Sequence, residues 1–173
     1  DRLHHGWLLT GPRGIGKATL AWQIAKFLLT TPDPEKDPAS LATAETRTNL
    51  NVDENHPTVR RIRSGSERGL LHIQCPYDEK RKRFKQVITI DEIRKLNSFF
   101  TLSAMDGGRR IVIVDSADDM NRNASNALLK ILEEPPQNAY LFLISHNPAK
   151  LLPTIRSRCC EIQLEVLDQS DMY

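Results

Sequence analysis

The sequence predicts a three-layer α/β fold, with a central parallel β-sheet flanked by helices. Short runs of β-branched and aliphatic residues recur at positions 6–10, 110–115 and 140–145, and such runs are typical of strands buried on both faces. Segments with apolar residues at helical spacing separate these strands, as in βαβ units. A glycine-rich turn also joins the first strand to the first helix, a position where α/β folds bind anions.

The glycine-rich turn carries the spacing G-x-x-x-x-G-K of a Walker A loop. In such a loop the backbone N–H groups and the helix dipole attract phosphate, and Lys17 reaches the outer phosphates. The next position needs a hydroxyl to bind magnesium but is Ala18, while Thr19 lies about 100° further round the helix. The pattern therefore predicts phosphate binding rather than magnesium-dependent hydrolysis, with a ligand-free turn as the alternative. The predicted nucleotide-binding residues are Gly11, Gly14, Gly16, Lys17, Ala18 and Thr19.

The composition is typical of one globular domain, because 39% of the 173 residues are hydrophobic and 27% are charged. The formal net charge of +2 is too small to indicate nucleic-acid binding, which depends on a local basic patch. Three cysteines, two of them adjacent, favour neither a disulfide framework nor a metal site, so we expect a reducing, cytoplasmic location. The sequence contains no apolar run of about 18 residues, so no membrane partner is expected.

The first half of the chain predicts one clear helix and several weaker elements. A helix over residues 18–29 places Leu20, Ile24, Phe27 and Leu28 on one apolar stripe, and three prolines at positions 32–38 end it. We expect a polar helix over 39–51 and a short strand over 55–62. Residues 64–85 read as a charged loop. Its basic run at 80–85 is interpreted either as a solvated surface or as a nucleic-acid contact.

The second half predicts regular alternation of strands and helices. A strand over 87–90 leads into a helix that begins at Asp91 and carries Ile93, Leu96 and Phe100 on one stripe. A turn at 106–108 precedes the strand over 110–115. A helix over 123–132 is ended by two prolines, and the strand over 140–145 follows. A short helix within 151–160 and a final strand over 161–164 complete the pattern.

Polar residues at the ends of two predicted strands define a candidate ligand site. Asp115 ends a buried strand, where it could hold magnesium through water, because the carboxyl ends of parallel strands line the ligand crevice. ATPases of this design usually carry Glu at the next position, but here it is Ser116, which cannot act as a base at neutral pH without a partner. The next strand brings Ser145, His146 and Asn147 to the same edge, where Ser145 and Asn147 are candidate sensor residues. They either sense a terminal phosphate or only shape the turn.

Arg156 and Arg158 lie near the end of the last short helix. Arginines there are favoured by the helix dipole, which is a purely structural explanation. The alternative is that Arg158 is presented to a neighbouring subunit as an arginine finger, because its planar charged fork stabilises phosphoryl charge.

Three motifs together resemble the first AAA+ domain of bacterial clamp-loader subunits of DNA polymerase III. They are the Walker A loop, the helix over 123–132 followed by Glu-Glu-Pro-Pro, and the triplet Ser157-Arg158-Cys159. The resemblance covers nearly the whole chain, apart from an insertion at about 32–85. It implies an AAA+ domain over residues 1–167 and the start of a lid domain at 168–173. The chain lacks an initiator Met and stops where the family's lid domain should begin, so we expect it to be a fragment without the lid and collar domains.

Departures from the family pattern indicate which type of subunit this is. The family's gamma/tau motors carry Ser or Thr after the Walker A lysine, Asp-Glu in Walker B and four zinc-binding cysteines. This chain has Ala18 after the lysine and Asp115-Ser116 in place of Asp-Glu. It has only Cys75 in place of the four cysteines, so no structural zinc is expected. The chain is therefore similar to the non-hydrolysing delta-prime type, with ATP or ADP bound without hydrolysis and Mg²⁺ binding left open.

The resemblance also implies partners and a mechanism. Arg158, positioned by Ser157 and Cys159, would complete the ATP site of an adjacent gamma/tau subunit in a ring that also contains delta. Through this ring the chain would act on the sliding clamp and primer–template DNA, as part of the DNA polymerase III nucleotidyltransferase complex in the bacterial cytoplasm, at the nucleoid. Two alternatives remain: an ATP-hydrolysing gamma/tau-type motor, and a DNA-binding module that uses the basic run at 80–85.

Overall fold

A five-stranded parallel sheet forms the centre of this computed structural model, which describes residues 3–31, 49–102 and 108–166. The strands are β1 (Gly6–Thr10), β2 (Leu70–Gln74), β3 (Tyr77–Asp78), β4 (Arg83–Phe84), β5 (Arg110–Asp115), β6 (Ala139–Ser145) and β7 (Cys160–Gln163). The central sheet has the order β2-β5-β6-β1-β7, and β3 and β4 form a separate antiparallel hairpin. All pairings in the central sheet are parallel, so its strands end at one common edge.

Helices cover both faces of the sheet. They are α1 (Lys17–Thr30), α2 (Pro57–Arg63), α3 (Ile90–Leu102), α4 (Arg122–Glu133) and α5 (Pro153–Arg156), with 3₁₀ turns at Ala117–Asp119 and Pro148–Lys150. Alternate strand residues point to opposite faces. Leu9, Ile111 and Ile113 pack with α1, whereas Leu8 and Val112 pack with α3 and α4. The three-layer α/β prediction is therefore confirmed.

Helix α1 packs on the sheet through small residues. Ala21 and Ala25 are completely buried, and Leu20, Ile24 and Leu28 of the predicted stripe pack beside them against the same core. Phe27, which was placed on that stripe, is half-buried. Because these alanine side chains are small, α1 packs close to the sheet, and the loop before the helix lies directly over the strand ends.

Residues 55–62 form no strand, and the prediction there is wrong. Helix α2 occupies the segment, with Pro57 in its first turn and the Nδ1 atom of His56 accepting a hydrogen bond from the N–H of Thr58. Proline is tolerated in a first turn because its missing N–H has no intrahelical partner there. Val59 and Ile62 are three residues apart and both buried, which is helical rather than strand spacing.

The loop predicted over 64–85 is wrong for two segments. Residues 70–74 form β2, an edge strand of the central sheet, and Tyr77–Asp78 pairs with Arg83–Phe84. Only Ile73 of β2 is fully buried, so the strand lacks the long apolar run by which the other strands were recognised.

The strand predicted over 87–90 is also wrong. Ile88 forms a single parallel bridge with Met120, and Ile90 already belongs to α3. The N–H of Ile88 donates to the Asp119 carbonyl and the Ile88 carbonyl accepts from Asn121, so the β-branched run fills a gap between elements without extending the sheet.

The other predicted elements are confirmed within one residue at each predicted end, except for the short helix expected within 151–160, which covers only Pro153–Arg156 and leaves Arg158 beyond its end. Helix α4 begins after Asn121, whose side chain accepts from the Ala124 N–H, and its buried residues include Leu128 and Leu132. The helix predicted over 39–51 falls mainly, and the turn at 106–108 partly, outside the described residues. Of the helices described, none has the length and apolar character needed to cross a membrane.

Gly11 is predicted to tolerate alanine less well than Gly14. Both have positive φ, 139° and 83°, and a side chain in such a conformation costs about 1–2 kcal/mol. A Cβ at Gly11 would also lie 2.3 Å from the Leu164 carbonyl oxygen, whereas a Cβ at Gly14 would meet nothing within 4 Å. We therefore expect Gly11→Ala to lower the free energy of unfolding in urea by more than Gly14→Ala does. Equal losses would contradict the close approach to Leu164.

Candidate functional site

The carboxyl edge of the sheet brings the predicted ligand residues together. Thr10 at the end of β1 is opposite Ser145 at the end of β6, and Asp115 at the end of β5 is opposite Ile144. The glycine-rich loop follows Thr10 directly and leads into α1. Three chain segments that are far apart in sequence therefore meet at one edge.

The glycine-rich loop has the backbone of a phosphate cradle. Gly11, Gly14 and Gly16 all have positive φ, and Gly16 is the N-cap of α1 with a left-handed conformation. Among the described residues, no atom beyond the adjacent ones lies within 4 Å of the positions where Gly14 and Gly16 would carry a Cβ, so one side of the loop is open. An open loop at a helix N-terminus attracts anions, so these residues fit a phosphate group.

Lys17 is turned into this loop. Its side chain is buried, and its Nζ atom donates to the carbonyl oxygens of Gly11, at 2.7 Å, and of Pro12. Burial lowers the pKa of Lys17, and the carboxylates of Asp118 and Asp115 partly oppose that shift. A phosphate that contacted Nζ would replace bonds to the loop's own carbonyls, and its negative charge would offset the burial of the ammonium group.

Ser116 occupies the position after Asp115, where related ATPases are expected to carry Glu, and its side chain has two hydrogen-bond partners. Its Oγ atom donates to Oδ1 of Asp115 at 3.3 Å and shares a 2.9 Å hydrogen bond with Nε2 of His146. The backbone N–H of His146 donates to Oδ1 of Asp118. Ser116 therefore has the partner that sequence reasoning did not find for it. The only available signal was that His146 lies between Ser145 and Asn147 at a strand end.

His146 is held in an environment that favours the neutral imidazole. Burial lowers its pKa from the ordinary value of 6.5, and the nearby ammonium of Lys17 lowers it further. Asp118 and Asp115 oppose the shift but do not reverse it. A neutral imidazole bonded to Ser116 is a weak base beside a poor nucleophile, in place of the carboxylate that would polarise water.

The two predicted phosphate sensors occupy different environments. Ser145 is completely buried, and its hydroxyl has no hydrogen-bond partner within the described part of the chain. Asn147 is exposed at the start of the second 3₁₀ turn and does not cap it with its side chain. Their role as sensors therefore stays a prediction.

The residues present fit phosphate better than hydrolytic magnesium. The methyl group of Ala18 occupies the position of the metal-binding hydroxyl, and Thr19, one residue on, is exposed. In residues 3–31, 49–102 and 108–166 no cluster of three or more His, Cys, Asp or Glu residues has metal-binding geometry. The donor chemistry can therefore hold an anion, and it lacks two groups that magnesium-dependent hydrolysis uses.

Arg158 lies beyond the other end of the sheet. One guanidinium nitrogen donates to the Thr154 carbonyl at 3.1 Å, and another lies 2.8 Å from Oε1 of Glu133. The side chain is 37% exposed. It is thus anchored at two points, in α5 and at the end of α4, and still reaches solvent.

The flanking residues of the triplet support this anchor. Ser157 Oγ donates to the same Thr154 carbonyl. Cys159 packs against the core, and its burial, with a contribution from Cys160, raises the pKa of its thiol to about 12. Gly6 leaves room for this turn, because a Cβ there would approach the Arg158 carbonyl at 3.3 Å. Cys159 is therefore a neutral packing group.

The register of the sheet separates Arg158 from the glycine-rich loop. Trp7 is paired with Cys160, so Arg158 precedes β7 at the amino edge, whereas the loop follows Thr10 at the carboxyl edge. At ~3.3 Å per residue, β1 alone puts about 13 Å between the two edges. Arg158 therefore faces away from the phosphate cradle of its own chain.

Comparison with known families assigns the chain. The sequence family described as "DNA polymerase III, delta subunit" matches residues 1–168. The chain belongs to the DNA polymerase III delta-subunit family. This match covers both the glycine-rich loop and the Ser157-Arg158-Cys159 triplet, so the two edges described above belong to one family domain.

Curated relatives are subunits of the same polymerase. The chain is 37% identical over 157 residues to DNA polymerase III subunit delta' of Pseudomonas aeruginosa, covering 91% of this chain and 42% of that protein. It is 30% identical over 167 residues to subunit tau of Escherichia coli K12, covering 96% of this chain and 22% of the relative. The chain thus spans less than half the length of these two relatives.

Solved structures confirm the AAA+ P-loop fold. A gamma-subunit-related protein of Thermotoga maritima aligns with 96% of this chain and 44% of its own, at a TM-score of 0.60 and 22% identity. The RuvB Holliday-junction branch migration motor of the same organism aligns with 93% of this chain and 38% of its own chain, at a TM-score of 0.50 and 17% sequence identity. At these identities the likeness concerns the fold alone.

The lowered pKa of His146 predicts a loss of stability in mild acid. Between its folded pKa and the ordinary value of 6.5 the unfolded chain binds more protons, so the free energy of unfolding falls as pH drops below about 6.5. The pKa of His72 is also lowered by burial, and it contributes in the same direction. Urea unfolding of His146→Gln between pH 5 and 7 should show a shallower fall than the parent, and His72→Gln added to it should flatten the curve further. An unchanged pH dependence in both variants would contradict the assignment.

Proposed function

We propose that this chain is the AAA+ domain of a non-hydrolysing, delta-prime-type subunit of the DNA polymerase III clamp loader. In this role it lends Arg158 to the ATP site of a neighbouring gamma/tau subunit. The observation that carries the proposal is the position of Arg158 at the amino edge of the sheet, about 13 Å or more from the loop at the carboxyl edge of the same chain. Because Arg158 does not reach the loop of its own chain, an arginine finger at this position would contact nucleotide bound by another subunit.

The chain's own site supports binding without turnover. When bound, a nucleotide would supply phosphates for the N–H groups of Gly14 and Gly16 and for the ammonium of Lys17. Ala18 offers no hydroxyl to a metal, and Ser116, bonded to His146, offers no carboxylate to an attacking water. We infer that ATP or ADP has a structural role in this chain, and that ATP is hydrolysed at the site of the neighbouring gamma/tau subunit.

The proposed assembly follows from this division. The partners are gamma/tau and delta subunits in a hetero-oligomeric ring that, with ATP, places the sliding clamp on primed DNA in the bacterial cytoplasm, near the nucleoid. In the full-length protein a lid domain would begin near residue 168 and a collar domain would follow. Residues 1–167 would then be the AAA+ domain, and the stretch at about 32–85 would be an insertion that contributes β2 to the sheet.

Arg158→Ala in the full-length subunit is predicted to lower ATP hydrolysis by the reconstituted clamp loader. Loss of an arginine finger costs about 10³–10⁵-fold in kcat at the site it completes, so total turnover should fall by that site's share. Lys17→Ala should leave turnover of the complex nearly unchanged, because the chain's own site does not hydrolyse ATP.

Arg156→Ala is the matched control, since Arg156 is an exposed arginine two residues away at the end of α5. It should behave like the parent. If Lys17→Ala instead stops turnover and the isolated subunit hydrolyses ATP, the chain is a gamma/tau-type motor, and the proposal fails.

Glu133 is proposed as a positioning residue for Arg158. Its carboxylate holds the guanidinium at 2.8 Å, and both side chains are partly exposed, at 42% and 37%. Exposed ion pairs are worth about 0.2–1 kcal/mol, so Glu133→Gln is predicted to lower turnover at the site that Arg158 completes by roughly 1.5- to 5-fold, and total turnover by less than Arg158→Ala does. The neighbouring Glu134→Gln should have no effect.

A thermodynamic cycle separates positioning from a purely structural role. Glu133→Gln in the Arg158→Ala background should cause no further loss of turnover, and its melting temperature should match that of the Glu134→Gln control. An additive loss, or an increase in turnover from Glu133→Gln alone, would contradict the assignment.

A further inference from the structure

The β3–β4 hairpin concentrates the positive charge of the chain. Five cations and two carboxylates fall within residues 77–85, which gives this segment a formal charge of +3, against +2 for all 173 residues. The cations are Lys80, Arg81, Lys82, Arg83 and Lys85. The rest of the chain is thus close to neutral, and a local basic patch exists that the total charge conceals.

The cations of the hairpin are available for a ligand. All five residues are exposed, and within the described residues none of them forms an ion pair. Asp78, the nearest carboxylate, accepts hydrogen bonds from the N–H groups of Lys80 and Arg81 through Oδ1, both at 3.1 Å. It therefore shapes the turn, which also contains Lys82 at a positive φ of 49°.

An exposed aromatic pair lies at the base of the same hairpin. Tyr77 and Phe84 are opposite each other across the two strands, 52% and 56% exposed, with ring centroids 5.2 Å apart in an edge-to-face arrangement. Such an arrangement leaves both faces of one ring free of the other ring. Two large rings exposed beside five cations are unusual on a surface that serves only solubility.

We propose that this hairpin binds single-stranded DNA. The cations hold successive phosphates, and the aromatic pair provides a stacking surface for an unpaired base, which is the combination that single-strand binding sites use. The site has no sequence preference, because every base offers a flat face to an aromatic ring. This goes beyond the proposed function, which assigns this chain no DNA contact of its own.

The hairpin and Arg158 lie at opposite edges of the central sheet. The hairpin follows β2 at the carboxyl edge of the sheet, and Phe84 and Lys85 line a cleft of about 620 Å³ together with Asp115 and Ser116. Arg158 lies at the opposite edge. Binding to the hairpin and delivery of the finger therefore use different surfaces, and each can be removed without the other.

The test is fluorescence anisotropy of a labelled oligothymidylate, titrated with the isolated full-length protein over a series of salt concentrations. Affinity should fall with salt, with a slope of about 0.7 per phosphate contacted. Lys80→Ala combined with Lys82→Ala should weaken binding and reduce the slope by about 1.4. The matched control removes Arg94 and Lys95, two cations paired with carboxylates on α3, and should bind like the parent.

Phe84→Ala separates stacking from charge. It should weaken binding roughly 5- to 150-fold without changing the salt slope, and Phe84→Trp should restore binding. Because Phe84 is mostly exposed, neither variant removes a core residue. The Arg158→Ala variant should bind the oligonucleotide like the parent, so a failure of the finger proposal and a failure of this one are distinguishable.

Three results would overturn the proposal. One is oligothymidylate binding that the Lys80 and Lys82 substitutions leave unchanged. Another is that the protein binds duplex DNA or polyglutamate as tightly as the single strand and that Phe84→Ala does not weaken binding. That result would identify a general polyanion surface. The third is no binding at low salt, which would make the basic run a solvated turn.

Discussion

The parallel register of the central sheet is the constraint on which the remaining features depend. Its three inner strands, β1, β5 and β6, are buried between two helical layers, and burial on both faces requires near-continuous apolar runs that leave few alternative pairings. Because all strands run the same way, every loop that follows a strand lies at one edge and every loop that precedes one lies at the other. The glycine-rich loop and Arg158 are separated for this reason, without any specific contact between them.

In the proposed function, nucleotide binding and hydrolysis are separable properties of the carboxyl edge. The cradle depends on backbone conformation at Gly14 and Gly16, and this remains. Hydrolysis needs two side chains, a hydroxyl for the metal and a carboxylate for water, and their positions are held by Ala18 and Ser116. The hydrogen bond between Ser116 and His146 gives the hydroxyl at this position a partner.

Sequence patterns failed where an element is short or lies at an edge. Strand β2 was missed because only Ile73 is fully buried and polar residues interrupt the run, while the β-branched run at 87–90 resembles a strand but makes one bridge. Helix α2 was predicted as a strand because Val59 and Ile62, next to Pro57, were interpreted as alternating apolar positions, although their spacing of three is helical. His146 was placed at the strand ends but given no role, because its contact is with Ser116, thirty residues away in the chain.

The sequence by itself determined the layered α/β fold, the glycine-rich turn between β1 and α1, and the family, because each is encoded in short-range spacing or in residue identity. Only the tertiary structure decided that Glu133 anchors Arg158, that Ser116 is paired with His146, and that the basic run lies on a hairpin beside Tyr77 and Phe84. The first two contacts join residues that are distant along the chain, and the third depends on an antiparallel pairing that only the folded segment forms. Periodicity reports which face of an element is buried, whereas packing decides which elements become neighbours.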